Sequence, residues 1–215
     1  MTGIADEHVE WAVVNRLKAM LDAPPPTKFN VTQSFALFGA IVIWTKQRAW
    51  VGGDAIDRPV WFNEADHAAR DVREALQAAN VFDQPWSLSE TRPRLGRVRD
   101  RDPIDFAEER INADFEGMTA EQFVKWLRDA LAHGDARKIR PIHRPSRTGN
   151  KTFLAGFEIV SPANRGSKRN LTLSLYHADI TRIGAILADG FCKALSGGDR
   201  YFEQDAATAT ITEAA

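Results

Sequence analysis

Three residues near the middle of the chain have the side chains that RNA cleavage requires: Arg128, Asp129 and His133. An arginine can hold a phosphate through two hydrogen bonds, and a histidine titrates near neutral pH and can move a proton. Asp129 can orient either of them. Metal-independent RNA cleavage uses such groups when the 2′-hydroxyl attacks its own phosphate. A surface arginine, with a histidine that stabilises a helix C-terminus, would give the same three residues, so both interpretations stay open.

A helix from Thr119 to Gly134 must position these side chains. Thr119 and Gln122 have the spacing of a capping box, in which each side chain binds the other residue's backbone N–H. Gly134 stands where a helix commonly ends in a left-handed cap, which puts His133 in the last turn. Apolar residues recur at three- and four-residue spacing and form one stripe: Phe123, Trp126, Leu127, Ala130 and Leu131.

The positions of Arg128 and His133 on this helix set a geometric limit. Five residues correspond to about 140° of rotation at 100° per residue. The two side chains therefore flank the stripe on opposite sides, and one straight helix cannot aim both at one atom.

The remaining pattern is mostly helical. Helices are predicted at Asp6 to Asp22, at Thr27 to about Arg48, at Asn63 to Asn80, as a short element within Asp105 to Asp114, and from Asp179 to about Ser196. The second of these is apolar nearly all round and is expected to be central in the bundle or at a subunit contact. Phe153 to Val160 and Leu171 to Tyr176 are β-prone, and turn residues between Pro162 and Asn170 join them, so a β-hairpin is predicted near 152–176. Asp83 to Pro103 is predicted to be a loop.

These elements predict one domain over residues 1–204, followed by a disordered tail at 205–215. The fold class is predicted to be mainly α, a helical bundle with a β-hairpin inserted before the last helix. The single cysteine, Cys192, is expected in the core and fits a reducing, cytoplasmic compartment. The N-terminus lacks a secretory pattern, and the most apolar run, Phe35 to Trp44, is shorter than the roughly twenty residues that span a bilayer.

A net charge of −1 gives the whole chain no attraction to polyanions, so contact with nucleic acid must come from local clusters. Ala136 to Lys151 is such a cluster, because it contains no acid. We predict a basic connector that follows an RNA backbone, although a solvated loop is the alternative. Its cationic residues are Arg137, Lys138, Arg140, Arg144, Arg147 and Lys151. The five histidines have no ligand spacing, so no metal or other cofactor is predicted.

The sequence LRDALAHG, Leu127 to Gly134, resembles the signature of the HEPN superfamily. In that signature a polar residue follows an arginine, and four to six positions separate the arginine from a histidine. The wider order is also similar to a stand-alone bacterial or plasmid-borne HEPN family: an apolar helix at Phe29 to Trp44, the motif, a hairpin, and a final helix ending in FCKAL. The resemblance implies a four-helix core, here with an extra N-terminal helix. Several HEPN proteins are metal-independent endoribonucleases, often toxins or defence effectors, whose active site is shared across a homodimer.

Carried over to this chain, the resemblance implies that Arg128 binds phosphate and stabilises transition-state charge, His133 transfers protons, and Asp129 supports them. A homodimer would bring two copies of the helix together, which would resolve the geometric limit. RNA is the implied substrate, and an antitoxin or a nucleotidyltransferase is a candidate partner. Two alternatives remain: a non-catalytic HEPN-fold module that binds RNA, a nucleotide or a partner, and a helical scaffold whose motif is a coincidence of helix capping.

Overall fold

Helices and a three-stranded antiparallel sheet form the part of the chain that the computed structural model describes, residues 9–24, 29–48, 70–93, 109–145 and 152–194. The helices are α1 (Val9–Asp22), α2 (Asn30–Arg48), α3 (which includes residues 70–78), α4 (Ala120–Ala132) and α5 (His177–Ala194). A single 3-10 turn, Ala113–Phe115, precedes α4. The strands are β1 (Ile139–Pro145), β2 (Thr152–Pro162) and β3 (Asn170–Tyr176), in the order β1-β2-β3.

The predicted fold class, a mainly helical bundle with a hairpin, is wrong, because the fold is a mixture of α and β structure with a complete three-stranded sheet. The missing strand is β1, which lies inside the predicted basic connector. Pro141 and Pro145 interrupt its strand pattern, and proline is tolerated only where no ladder hydrogen bond is needed. β1 pairs with β2 alone among the described strands, so it is an edge strand, where proline fits.

The predicted hairpin is present, as strands β2 and β3. Leu173 pairs with Ile159 and Leu175 with Phe157, and the alternation of leucines along β3 turns Leu171, Leu173 and Leu175 into the core. Strand β2 begins one residue before and ends two residues after its predicted limits, and β3 begins one residue early but ends at Tyr176 as predicted, because backbone pairing continues to Pro162 and Asn170.

Side chains satisfy the outer edge of β3. The Asn112 side chain accepts the Ser174 N–H at 2.7 Å and donates to the Ser174 carbonyl at 3.1 Å, as a neighbouring strand would. Asp114 accepts the Thr172 N–H at 2.9 Å. The fully buried carboxylate of Asp179 accepts the Tyr176 N–H at 3.1 Å and therefore caps α5 from inside its first turn. Three alternate backbone N–H groups of β3 are thus paired without a fourth strand.

The described helices pack mainly against one another. α1, α2 and α5 contact each other in pairs, and α2 also contacts α4. Gly184 of α5 allows close approach, since a Cβ there would collide with the side chain of Leu21. The expectation that α2 is central holds for one face, with Phe38, Ile41 and Val42 fully buried, whereas Ile43 and Trp44 on its other side are exposed. None of the described helices combines the length and the hydrophobicity of a membrane-spanning segment.

Several predictions fall partly or wholly outside the described residues. The starts of the helices predicted from Asp6, Thr27 and Asn63 do so, as do residues 94–103 of the predicted loop, the end of the last helix and the predicted tail. Within Asp105 to Asp114, residues 109–112 are not helical, and the helical turn that follows is a 3-10 turn. The one-domain organisation stays a prediction.

Candidate functional site

The start of α4 has the predicted capping box. The Gln122 N–H donates to Oγ1 of Thr119 at 3.3 Å, and the Thr119 N–H donates to Oε1 of Gln122 at 3.1 Å. Phe123, Trp126 and Leu127 of the predicted stripe are buried. The sequence therefore fixes where α4 begins and which side faces the core, and the opposite side carries its polar residues.

The end of α4 differs from the prediction. His133 is the C-cap, and its N–H donates to the Asp129 carbonyl at 3.1 Å. Gly134 is not left-handed: the described glycines with positive φ are Gly117 and Gly166. A glycine is needed at position 134 for another reason, because a Cβ there would collide with the side chain of Ile139 as the chain enters β1.

An open cleft of about 1090 Å³ lies between α4 and the end of the β2–β3 hairpin. One wall is the polar side of α4, the other is formed by residues 161–166, and Lys138 lies at the end near His133. Along the helix wall the lining residues are Met118, Gln122, Lys125, Trp126, Arg128, Asp129 and His133. Their spacing of three and four residues is that of one helix face.

Arg128, Asp129 and His133 all border this one cleft. Nη1 of Arg128 lies 2.9 Å from Oδ1 of Asp129, and about a fifth of the Arg128 side chain is exposed. His133 is exposed, one helical turn after Asp129. The structure thus brings the three predicted residues to a common solvent-filled space within one chain, although they approach it from different angles on the helix.

The cleft carries a surplus of positive charge. Among the lining residues that the structure describes, one carries a carboxylate, Asp129, and four are cationic: Lys125, Arg128, Lys138 and Arg165. Lys125 and Arg165 are exposed and were not selected from the sequence. The sequence could have indicated Lys125 as a site residue, since it precedes Asp129 by four residues and so shares its helix face. The sequence could not have indicated Arg165, because only the folded hairpin brings its turn opposite α4.

The two walls are held together. Nε1 of Trp126 donates to the carbonyl oxygen of Pro162, and the buried Trp126 indole packs against Phe115 in a T-shaped arrangement. Asp114 anchors the hairpin end by accepting from Nη2 of Arg169 at 3.1 Å as well as from the Thr172 N–H. Specific contacts between the two walls therefore define the cleft, and the buried indole of Trp126 forms its floor.

The predicted RNA-binding residues that the structure describes lie partly at the cleft and partly outside it. Lys138 lines the cleft, with Nζ donating to the His133 carbonyl at 3.3 Å. Arg137 is bound by Asp135 at 2.7 Å, and that pairing lowers the pKa of Asp135 to about 2. Arg140 pairs with Glu158 and Arg144 with Phe153 in the β1–β2 ladder, and neither arginine lines the cleft. Arg147 and Lys151 lie outside the described residues.

Other reactive side chains lie away from the cleft. Cys192 is partly buried on α5, and burial, with the charge of Asp189 as a smaller cause, raises the pKa of its thiol to about 11. His177 is 2.9 Å from the hydroxyl of Ser34, which is buried. No group of three or more histidine, cysteine, aspartate or glutamate residues suited to a metal ion occurs in the described part of the chain.

Comparison of the chain with protein-family models, with curated proteins and with solved structures gives no match.

Proposed function

We propose that this protein is a metal-independent endoribonuclease of HEPN type that binds RNA in the cleft beside α4. The observation that carries the proposal is that Arg128, Asp129 and His133 line one cleft whose charge is mainly positive, in a chain with a net charge of −1. A local cationic cleft is what attracts a phosphate backbone when the whole molecule does not.

The reaction is a transesterification in which the 2′-hydroxyl attacks the adjacent phosphorus. A bond forms between the 2′-oxygen and phosphorus, and the bond from phosphorus to the 5′-oxygen breaks. The products are a 2′,3′-cyclic phosphate and a 5′-hydroxyl end. His133 takes or gives the proton at these oxygens, Arg128 stabilises the charge on the phosphate, and Asp129 holds the Arg128 guanidinium in position.

A homodimer is part of the proposal for a chemical reason. The reaction requires one group that removes the 2′-proton and another that protonates the leaving oxygen. Among the described lining residues of the cleft, His133 carries an imidazole. A second copy of the protein that faces the first would supply a second imidazole. Two copies of the cleft would also double the number of cationic side chains along the RNA.

Location and partners complete the proposal. The single cysteine fits the reducing cytoplasm, where RNA is available. An unregulated ribonuclease there would damage its host, so an antitoxin or a nucleotidyltransferase that controls it, and a role as a toxin or defence effector, belong to the same proposal.

Cleavage of single-stranded RNA in EDTA tests the proposal. Purified protein is compared with Arg128→Gln and His133→Ala, and with Lys168→Gln, which removes a charge from the hairpin turn without altering a cleft-lining residue. We expect each of the first two changes to reduce the rate by roughly 10²-fold or more and Lys168→Gln to leave it unchanged. A substrate with 2′-deoxyribose throughout should bind without being cut. Undiminished cleavage by both Arg128→Gln and His133→Ala would refute these roles.

A non-catalytic RNA-binding or assembly module is the second candidate. The cleft lining favours it, because the reaction needs both a proton acceptor and a proton donor, and His133 supplies one imidazole among the described lining residues. Binding of RNA with a steep salt dependence, together with intact RNA after long incubation, would support this candidate over the nuclease.

A further inference from the structure

The two walls of the cleft present cations to each other from distant parts of the sequence. Lys125 lies on α4 one turn before Asp129, and Arg165 lies on the turn between β2 and β3. Both are exposed, and no described acid forms an ion pair with Arg165. A ligand in the cleft would therefore meet positive charge on both sides.

The arrangement along α4 suits an extended ligand. Lys125, Asp129 and His133 follow one another at four-residue spacing, so Lys125 and His133 are about 12 Å apart along the helix axis at 1.5 Å per residue. Arg128 lies between them. A single phosphate cannot contact both ends of such a row, but a chain of nucleotides can.

The size of the cleft supports the same conclusion. Pockets for small ligands have volumes of about 300–1,000 Å³. The cleft, at about 1090 Å³ and open to solvent, lies at the upper end of that range and has room for more than one nucleotide. The wall that carries Arg165 is also fixed in place, since Ala163 N–H donates to the Arg169 carbonyl at 2.9 Å and Asp114 binds Arg169. A fixed wall lowers the entropic cost of binding.

We infer that a single strand of RNA lies in the cleft with backbone phosphates bound by Lys125 on one wall and Arg165 on the other, flanking the phosphate at Arg128 and His133. This inference rests on the proposed function, from which the RNA and the position of the reacting phosphate are taken. A single strand is chosen over a duplex because the 2′-oxygen must align with the leaving oxygen, and the geometry of a duplex holds it out of line. A positive groove that follows the backbone is the usual way of binding single strands.

Fluorescence anisotropy with a labelled 12-nucleotide oligouridylate tests the inference. The titrations use His133→Ala protein in EDTA, so that the RNA stays intact. In this background we compare Lys125→Gln, Arg165→Gln and the control Lys168→Gln, whose residue is exposed on the same turn as Arg165 but does not line the cleft. Circular dichroism and urea unfolding check that each variant is folded.

We expect Kd to rise about fivefold or more for Lys125→Gln and for Arg165→Gln, and to change less than twofold for Lys168→Gln. The slope of log K against log salt should become shallower by about 0.7 for each phosphate that the variant no longer binds. In the otherwise unmodified protein, Arg165→Gln should raise KM more than it lowers kcat. The same RNA annealed to a complementary strand should bind more weakly than the single strand.

The outcomes separate this inference from the proposed function. If RNA is cut but Arg165→Gln and Lys125→Gln bind it like Lys168→Gln, the inference is overturned and the nuclease stands. If no variant and no unmodified protein cuts RNA, yet binding depends on Lys125 and Arg165, the cleft is an RNA site and the nuclease fails. Equal binding of duplex and single strand overturns the assignment of a single strand.

Discussion

Trp126 on α4 and Pro162 at the end of β2 are joined by a hydrogen bond of 3.0 Å from the indole Nε1 to the proline carbonyl oxygen. The two residues are thirty-six positions apart, and their bond links the helix wall of the cleft to its hairpin wall. The indole is buried, whereas Pro162 is exposed, so the bond joins the core side of α4 to the surface of the hairpin. The bond therefore contributes to the stability of the cleft floor.

Replacing Trp126 by phenylalanine should lower the free energy of unfolding by about 1–3 kcal/mol. The change removes the N–H donor and part of a ring packed against Phe115, and both losses are destabilising. Urea denaturation monitored by circular dichroism measures the effect. Trp44→Phe is the matched control, because Trp44 is 38% exposed and its replacement should change stability by less than about 0.5 kcal/mol. Equal effects of the two substitutions would show that the bond contributes nothing.

Two glycines should respond to alanine in opposite directions. Gly134→Ala places a methyl group against the Ile139 side chain and the Ala130 carbonyl, so we expect a loss of about 1–3 kcal/mol. Gly39 lies within α2, and a methyl group on its Cα would meet no atom within 4 Å beyond its chain neighbours and the adjacent helix backbone, so Gly39→Ala should stabilise the protein by about 1 kcal/mol. Thermal unfolding of both variants beside the unmodified protein checks the signs. A stabilising Gly134→Ala would mean that β1 does not approach α4 as closely as described.

A third prediction concerns the buried ion pair between Lys46 on α2 and Glu121 in the first turn of α4. Nζ of Lys46 lies 2.5 Å from Oε1 of Glu121, and the two side chains are 2% and 13% exposed. Burial lowers the pKa of Lys46, and the bond to Glu121 opposes that shift. Lys46→Met alone leaves a buried carboxylate without its partner and should cost about 3 kcal/mol or more.

The double variant Lys46→Met with Glu121→Leu should recover most of that loss, since apolar groups of similar volume often replace a buried pair without cost. Equilibrium unfolding of the four proteins of the cycle measures the coupling between the two positions. Additive effects of the single substitutions would contradict the pairing.

Cys192 should react slowly with thiol reagents and give a defined pH dependence. Burial raises the pKa of its thiol to about 11, so little of the reactive thiolate exists at pH 8. In the unfolded chain the thiol loses its proton at lower pH, so between about pH 9 and 11 the folded state binds more protons and stability falls as pH rises.

Iodoacetamide labelling followed by mass spectrometry should therefore show slow modification of the folded protein and fast modification in urea. Unfolding curves at pH 8 and pH 10 should show a smaller loss for Cys192→Ala than for the unmodified protein. Rapid labelling of the folded protein at pH 8 would contradict the buried thiol.

Local rules predicted the parts of the fold that depend on neighbours in sequence. The capping box of Thr119 and Gln122, the buried face of α4 and the alternation along β3 follow from spacing alone, and each is present. Strand β1 was missed because two prolines and several cations hide a strand whose position at a sheet edge tolerates them. The role predicted for Gly134, a left-handed helix cap, is wrong. The glycine instead leaves room for the side chain of Ile139, which belongs to the strand that the sequence pattern does not predict.

The candidate site was predictable to the same degree. Arg128, Asp129 and His133 could be selected because one short helix segment carries their chemistry. Arg165 could not, because it comes into the cleft only through the hairpin and the contacts of Asp114 with Arg169 and Thr172. The basic segment after α4 is predicted to be one RNA-binding stretch, yet of its described cations Lys138 lines the cleft, whereas Arg140 and Arg144 lie in the β1–β2 ladder.

The outer edges of the sheet restrict how two copies of this protein can meet. Pro141 and Pro145 have no N–H to offer along β1, and Asn112, Asp114 and Asp179 already occupy the N–H groups of β3 at Ser174, Thr172 and Tyr176. A strand from another molecule would find no continuous row of donors on either side, so edge-to-edge growth into extended sheets or fibrils is blocked. For the described residues, self-association is then left to side-chain surfaces, which is the kind of contact that the proposed dimer requires.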